Sequence, residues 1–225
     1  MSRPRLLDLF CGAGGCSVGY HRAGFDVVGV DHVPQPHYPF EFVEADAIAF
    51  LDGRRMDEYE AIHASPPCQA YSRARHTPGS AGRDYPALLP EVRRHLVRIG
   101  LPYVIENVEL APMKGIVLCG TMFGLPLRRH RVFESSVLLL GPGNPCRHRP
   151  GDLTIFGNCV QITGSRGIAY TARSGRQHYR PLRTSTAEGA AAMGIDWMVR
   201  KDLSQAIPPA YAEFVGRQLL RVLEG

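Results

Sequence analysis

The 225-residue chain has only two lysines and one tryptophan, and aromatic residues make up 8% of it. No apolar run approaches the roughly 18 residues that span a bilayer, so no membrane is expected as a partner. Met1 to Arg5 leads into only a short hydrophobic stretch, and the expected setting is soluble and cytoplasmic. Internal repeats and low-complexity tracts are missing too, and 44% hydrophobic content excludes a disordered or fibrous chain. Acids are scarce in one region. Residues 128 to 183 hold ten Arg and no Lys against Glu134 and Asp152, a local charge of +8, while the remainder sums to −3. Clustered Arg suggests a polyanion as partner, and an Arg-rich solvated face is the plain alternative. The six cysteines (11, 16, 68, 119, 146, 159) occur in a chain too long to need stapling and without a secretion signal, so free thiols are expected.

The first half alternates β-rich runs with helical patterns, the mark of an α/β fold with a doubly wound parallel sheet. Strands are expected at Arg5 to Phe10, Val27 to Asp31, Glu41 to Glu44, Ala61 to Ala64 and Tyr103 to Glu106, with further ones at Ile116 to Cys119 and Arg131 to Glu134. A helix is expected at Gly15 to Ala23. Another is marked by Leu88, Leu89, Val92, Leu96 and Ile99 at helical spacing. Beyond Ser136 the sequence turns to Gly, Pro, Arg and His without clear period, until Tyr211, Phe214, Val215, Leu219 and Val222 mark a helix that Pro208 and Pro209 would open. The expected division is therefore a catalytic domain over 1–136, a small irregular recognition lobe over 137–182, and a C-terminal segment over 183–225 that returns to the first domain.

Three segments carry chemistry. Asp8-Leu-Phe-Cys-Gly12-Ala-Gly14-Gly15 follows a strand and opens a helix, and Asp31 ends the next strand. Glycines there let a ligand approach the backbone, and the acid can hold the hydroxyls of a ribose, so a nucleoside-containing cofactor is expected. The spacing alone does not choose between a dinucleotide and S-adenosylmethionine. The second segment, Ser65-Pro66-Pro67-Cys68-Gln69, follows the fourth strand and faces the same crevice. Its prolines fix where the thiol points, and cationic neighbours would favour the nucleophilic thiolate. The third, Glu106-Asn107-Val108, ends another strand on that rim, where a carboxyl could donate to a ring nitrogen and accept from an amine.

With DLFCGAGG at 8–15, SPPCQAYS at 65–72, ENV at 106–108 and RRHRVFES at 128–135, the chain resembles the DNA cytosine-5 methyltransferases, and its ending at 204–220 is similar to compact phage-type members. The resemblance implies a Rossmann-like S-adenosylmethionine-dependent fold acting on DNA, in restriction-modification or on a phage genome. It assigns Cys68 as nucleophile on carbon 6 of a flipped cytosine, Glu106 as the clamp on the ring, and Arg131, with Arg129 in support, at the ring oxygen. It places Phe10, Gly12, Gly14 and Gly15 around the methionine end of the cofactor, Asp31 at the ribose, and Asp46 with Ala47 at the adenine edge, and it counts Ala13, His32, Pro67 and Gln205 among the cofactor-binding residues. A monomer is expected.

The chain departs from that family at Leu127, where Gln is usual, at Ser204-Gln205 in place of Gly-Asn, and at Ala187-Glu188 in place of an Arg-Glu pair. The stretch from Arg131 to Glu188 is short for target recognition, which implies a short or permissive site. Cys146, His148, Cys159 and His178 share the lobe, but their spacing is not that of a common zinc finger, so no metal is expected. The same chemistry on RNA cytosine, or with a modified donor, would use the same residues. An NAD-dependent oxidoreductase explains the first turn but not the Pro-Pro-Cys or Glu-Asn segments, and a silent DNA-binding module does not need Cys68, Glu106 and Arg131 together.

Overall fold

The computed structural model describes residues 2–53, 56–72, 85–156, 159–163, 168–171, 177–180 and 182–225. Strand β1 (Arg5–Leu9) lies between two parallel neighbours, β2 (Asp26–Asp31) and β4 (Ala61–Ala64), in register Asp8 with Gly29 and Asp8 with His63. Covered on both faces, these strands read as near-continuous apolar runs. Strand β3 (Glu41–Glu44) extends the sheet beyond β2, and β5 (Tyr103–Asn107) extends it beyond β4, both in parallel. The last two strands, β6 (Ile116–Cys119) and β7 (His130–Ser135), are antiparallel to each other, and β7 is antiparallel to β5. The order is β3-β2-β1-β4-β5-β7-β6, the α/β doubly wound layering that the sequence pattern implies.

Successive residues of β1 point to opposite faces and so serve two cores. Leu6 packs with Tyr20, Phe25, Val215 and Leu219, under helices α1 (Gly15–Ala23) and α6 (Pro209–Glu224). Leu7 packs with Phe50, Val92 and Leu96, under α2 (Ala47–Gly53) and α3 (Leu89–Ile99). Arg93 of α3 forks onto Glu134 of β7, at 2.6 Å from Nε and 3.0 Å from the terminal nitrogen, which ties that helix to the antiparallel edge.

The second half is more ordered than its composition suggests. Strands β8 (Leu153–Phe156), β9 (Cys159–Ile162) and β12 (Arg183–Thr184) form a three-stranded antiparallel sheet, and β10 (Ile168–Thr171) pairs with β11 (Gln177–Arg180). Helices α4 (Thr186–Met193) and α5 (Arg200–Leu203) belong to the same unit, since Leu127, Ile155, Val160, Met193 and Leu203 make one small core. The boundary expected at 182 thus falls inside a paired sheet. The chain leaves this unit only near Ile207, which packs against α1 and α6. Strands of four residues or fewer, serving a core this small, leave no long alternation to read.

Two of the three departures from the family pattern have local explanations. Leu127 is fully buried in the small core. Glu188 accepts from the Ser185 amide at 3.0 Å while Ser185 Oγ accepts from the Glu188 amide at 3.1 Å, a reciprocal cap for α4. The acid is used by its own helix rather than by an Arg neighbour.

Helices α1 and α6 approach so closely that neither tolerates a side chain at the crossing. A Cβ on Gly19 would lie 2.3 Å from the Pro209 carbonyl oxygen and 2.7 Å from Ala212 Cβ. Gly19→Ala is therefore expected to destabilise the protein by about 1–3 kcal/mol, read as a lower urea midpoint. Gly53→Ala, with no atom within 4 Å of its Cβ, should leave that midpoint unchanged or raise it.

Candidate active site

Where β1 ends, the chain folds back over the sheet through three left-handed residues, Phe10 (φ 57°), Gly12 (φ 50°) and Gly14 (φ 87°). A phenylalanine in that region costs about 1–2 kcal/mol, and the packing of its ring on the core holds it there. The Cys11 amide donates to the Val30 carbonyl at 3.2 Å, and the Gly14 amide to the Cys11 carbonyl at 3.1 Å. Above Gly12 the turn is open, with nothing within 4 Å of a Cβ. Behind it the turn is closed, since a Cβ on Gly15 would sit 2.5 Å from the Ile207 carbonyl oxygen. Trp197 Nε1 donates to the Ala13 carbonyl at 2.8 Å, so the only tryptophan seals the turn from the C-terminal side.

Asp31 ends β2 beside this opening and accepts the Gly12 amide at 3.0 Å on one oxygen and the Val33 amide at 3.0 Å on the other. His32 is exposed, with its ring nitrogen 3.4 Å from Asp31 Oδ1. Asp46 caps α2, accepting from the Ile48 and Ala49 amides at 3.0 and 2.9 Å. Ala47 is buried in the core, so its side chain is turned away from solvent. Gln205 is exposed, two positions before the Ile207 contact.

Beneath the rim lies a polar cluster that sequence reasoning did not mark. Asp8, fully buried in the middle of β1, faces His63 Nδ1 of β4 at 2.7 Å and accepts the Ser17 hydroxyl of α1. Ser17 Oγ in turn accepts from the Tyr38 hydroxyl at 2.9 Å. The signal available in the sequence was an acid and a histidine set among apolar strand residues, where a charge must be paired.

The Pro-Pro-Cys loop leaves β4 next to the Glu-Asn end of β5. Asn107, almost wholly buried, donates its side-chain amide to the Pro66 carbonyl at 2.9 Å and accepts the Val108 amide at 2.9 Å. One side chain thus fixes the loop before Cys68 to the strand end bearing Glu106. Pro67 and Cys68 are half-buried. The Cys68 carbonyl accepts from the Tyr71 and Ser72 amides at 3.0 and 2.9 Å, closing a turn behind the thiol.

Glu106 is buried, and its Oε1 lies 3.0 Å from Arg131 Nε, yet that oxygen has no hydrogen-bond partner. Arg131 comes from the start of β7 and also donates to the His130 carbonyl at 2.7 Å. Arg129 is buried differently. It donates to the Ile155 and Ser204 carbonyls at 3.2 and 2.9 Å, and its own carbonyl accepts the Tyr211 hydroxyl at 2.5 Å. It joins the second unit to the seven-stranded sheet. Burial beside Arg131 lowers its pKa to about 9.

The charge excess of residues 128–183 is accordingly divided. Arg129 and Arg131 face inward, whereas Arg128, Arg147, Arg149 and Arg183 are exposed. Arg166, Arg173, Arg176 and the side chain of Arg180 lie outside the described residues. The two acids of the segment have internal uses, Glu134 on Arg93 and Asp152 on the Arg149 amide at 2.6 Å.

Burial pushes the Cys68 thiol above its ordinary pKa, Arg131 and Arg129 pull it back, and Glu106 raises it. Alkylation of Cys68, followed against pH by peptide mass spectrometry, should therefore rise through an apparent pKa above that of a free cysteine. Arg131→Gln is expected to move the profile to higher pH and Glu106→Gln to lower pH. Equal profiles in all three proteins would remove both side chains from the thiol's surroundings.

Residues 4–111 match the profile of the family described as C-5 cytosine-specific DNA methylase. Among curated relatives, the type II methyltransferase M.XorII of Xanthomonas oryzae is 26% identical over 158 residues, covering 61% of this chain and 32% of that protein. M.HgiDI of Herpetosiphon aurantiacus is 26% identical over 188 residues, covering 70% of this chain and 56% of its own length. The aligned part is thus about a third of one relative and about half of the other. Among solved structures, a DNA modification methyltransferase encoded within an E. coli prophage superposes with a TM-score of 0.63 at 16% identity, covering 99% of this chain and all of that one. The Dnmt2 methyltransferase of S. pombe superposes with a TM-score of 0.59 at 14% identity, with 99% and 100% covered. At these identities the two structures show a common fold. The strand order, the Gly-rich turn and the Pro-Pro-Cys loop accompany the profile match, so over residues 4–111, just under half of its length, the chain is similar to the C-5 cytosine-specific DNA methylase family.

Proposed function

We propose that the chain transfers a methyl group from S-adenosylmethionine to carbon 5 of cytosine in DNA, through a covalent adduct on Cys68. The observation that carries this reading is the placing of a half-buried thiol near Glu106, whose inward oxygen is buried 3.0 Å from Arg131 Nε and makes no hydrogen bond. A buried carboxyl oxygen that makes no hydrogen bond keeps its lone pairs available to a donor on a ligand. The edge of a cytosine offers its exocyclic amine as the donor for that purpose.

The residues of the first turn fit the proposed cofactor. The open face above Gly12 admits a ligand against the backbone. Asp31 stands beside it, and a carboxylate has lone pairs beyond those used by the two amides, available to ribose hydroxyls. Asp46 keeps one oxygen outside its cap, at the edge where an adenine would lie. When bound, S-adenosylmethionine supplies an electrophilic methyl group on a positively charged sulfur.

In this reading Cys68 Sγ, as thiolate, adds to carbon 6 of a cytosine extruded from the stack, since a duplex hides the ring. Glu106 holds the ring by that edge, its carboxyl donating to N3 and accepting from the amine. Arg131 donates toward the ring oxygen, and the two side chains stabilise the charge that develops on the ring. Carbon 5 becomes nucleophilic and gains the methyl. Loss of the carbon 5 proton to water then restores the double bond and expels the Cys68 thiolate. Arg129 acts as a positioning residue, holding the second unit against the rim. That unit, with its exposed arginines, is proposed to read a short or permissive DNA site, and a single chain carries the whole residue set.

Nucleoside mass spectrometry of DNA and RNA from cells producing wild type or Cys68→Ser is the test. The expected result is 5-methyldeoxycytidine with wild type alone. Folded wild type that modifies neither nucleic acid overturns the proposal, and methylation confined to RNA moves the substrate. Wild type, but not Cys68→Ser, should also form a denaturation-stable complex on DNA containing 5-fluorocytosine. Neutralising Arg128 and Arg149 together should lower the slope of log affinity against log salt by about 1–2, because each phosphate contact releases counterions.

A further inference from the structure

Two cysteines and two histidines meet at the far edge of the sheet, in a cluster that the methyl-transfer reading does not use. Cys119 is the last residue of β6 and His130 the first of β7, and the two are paired across the strands. Cys146 and His148 come from the loop that follows β7, and all four ligand atoms lie within 4.8 Å of one another. The atoms that face each other are the two Sγ and the two Nε2. His130 Nε2 is 3.3 Å from Cys146 Sγ, and His148 Nε2 is 3.4 Å from Cys119 Sγ and 2.7 Å from Cys146 Sγ.

We propose that Cys119, His130, Cys146 and His148 form a structural zinc site that anchors the start of the second unit to the β6–β7 edge. Zinc bonds of about 2.3 Å to sulfur and 2.0–2.1 Å to nitrogen give a tetrahedron whose sulfur-to-nitrogen edges are about 3.5 Å. The 3.3 and 3.4 Å separations match it, and the shorter edge opens by a small movement of the exposed His148. Two thiolates and two imidazoles are the donor set that selects zinc over harder cations. Four protein ligands close the coordination sphere, which makes the site structural rather than catalytic.

The surroundings are those of metal ligands. His130 turns its other nitrogen, Nδ1, toward Glu109 at 3.7 Å, the carboxylate behind a ligating imidazole that fixes its orientation. The Thr121 hydroxyl lies 3.5 Å from Cys119 Sγ and 3.4 Å from Cys146 Sγ. It also accepts the Arg147 amide at 3.2 Å, so the loop is already drawn onto the 3-10 turn at Gly120–Phe123. The expectation of no metal rested on Cys146 and His148 in company with Cys159 and His178, whose side chains lie outside the described residues. Strand pairing supplies two other partners, more than a dozen positions upstream of the loop pair.

The measurement is metal content, which is independent of methyl transfer, so its failure and the failure of the functional proposal are separable. Wild type incubated with zinc sulfate and passed through gel filtration should retain one equivalent per chain by inductively coupled plasma mass spectrometry. Cobalt in its place should give the visible absorption bands of a tetrahedral thiolate site. The double variant Cys146→Ser, His148→Ala alters only the loop after β7, and it should retain less than a tenth as much metal. Glu109→Gln should weaken zinc binding about tenfold. Chelation should lower the melting temperature of wild type and leave that of the double variant unchanged. Folded wild type with no retained zinc overturns the proposal, as does a double variant that binds as much as wild type, or a Cys119–Cys146 disulfide in protein purified without reductant.

Discussion

Asp8 is a carboxylate wholly withdrawn from water in the middle of the central strand, and the rim above it is arranged around the partners it requires. An unpaired buried charge would cost several kcal/mol, so the fold must bring a donor to each oxygen. His63 meets it from β4 and Ser17 from α1, with Tyr38 behind Ser17. These contacts fix the three elements that deliver the chemistry. The first turn lies between β1 and α1, the Pro-Pro-Cys loop is the continuation of β4, and Tyr38 belongs to the segment that follows Asp31. A single satisfied carboxylate thus sets the relation between the proposed cofactor edge and the proposed nucleophile.

A second layer of positioning works by backbone rather than by charge. Asn107 ties the loop before Cys68 to the strand that carries Glu106, and Arg129 ties the Ile155 and Ser204 carbonyls to the start of β7. Trp197 and Ile207 close the back of the glycine turn from residues almost two hundred positions away. The side chains that face the crevice therefore rest on others that do not reach it. The proposed zinc site adds one more tie at the edge, one residue from Arg131.

The charge distribution changes meaning once it is seen in space. An excess that looks like a single basic stripe contains two inward arginines, one at Glu106 and one holding carbonyls, and a separate exposed group just before β7, on the loop that follows it and on β12. The inward pair tunes the thiol and the outward group is available to a phosphate backbone. Composition cannot separate these, because a guanidinium counts the same whichever way it points.

The sequence by itself determined the sheet and the rim. Buried parallel strands must be apolar on both faces, so Arg5–Leu9, Asp26–Asp31 and Tyr103–Asn107 announce themselves, and residues at their carboxyl ends necessarily share one crevice. Cys68 and Glu106 were legible for that reason, whereas Arg131, at the start of β7, was legible only through the family resemblance. Tertiary structure alone decided the rest. Strands of four residues or fewer beyond Leu153 leave no period long enough to read, and α4 and α5 join them only through a shared core. Asp8 with His63, Asn107 with Pro66, and Cys119 and His130 with Cys146 and His148 are pairings between segments distant in the chain. Each depends on strand register or on where a loop returns, and neither is encoded in local spacing.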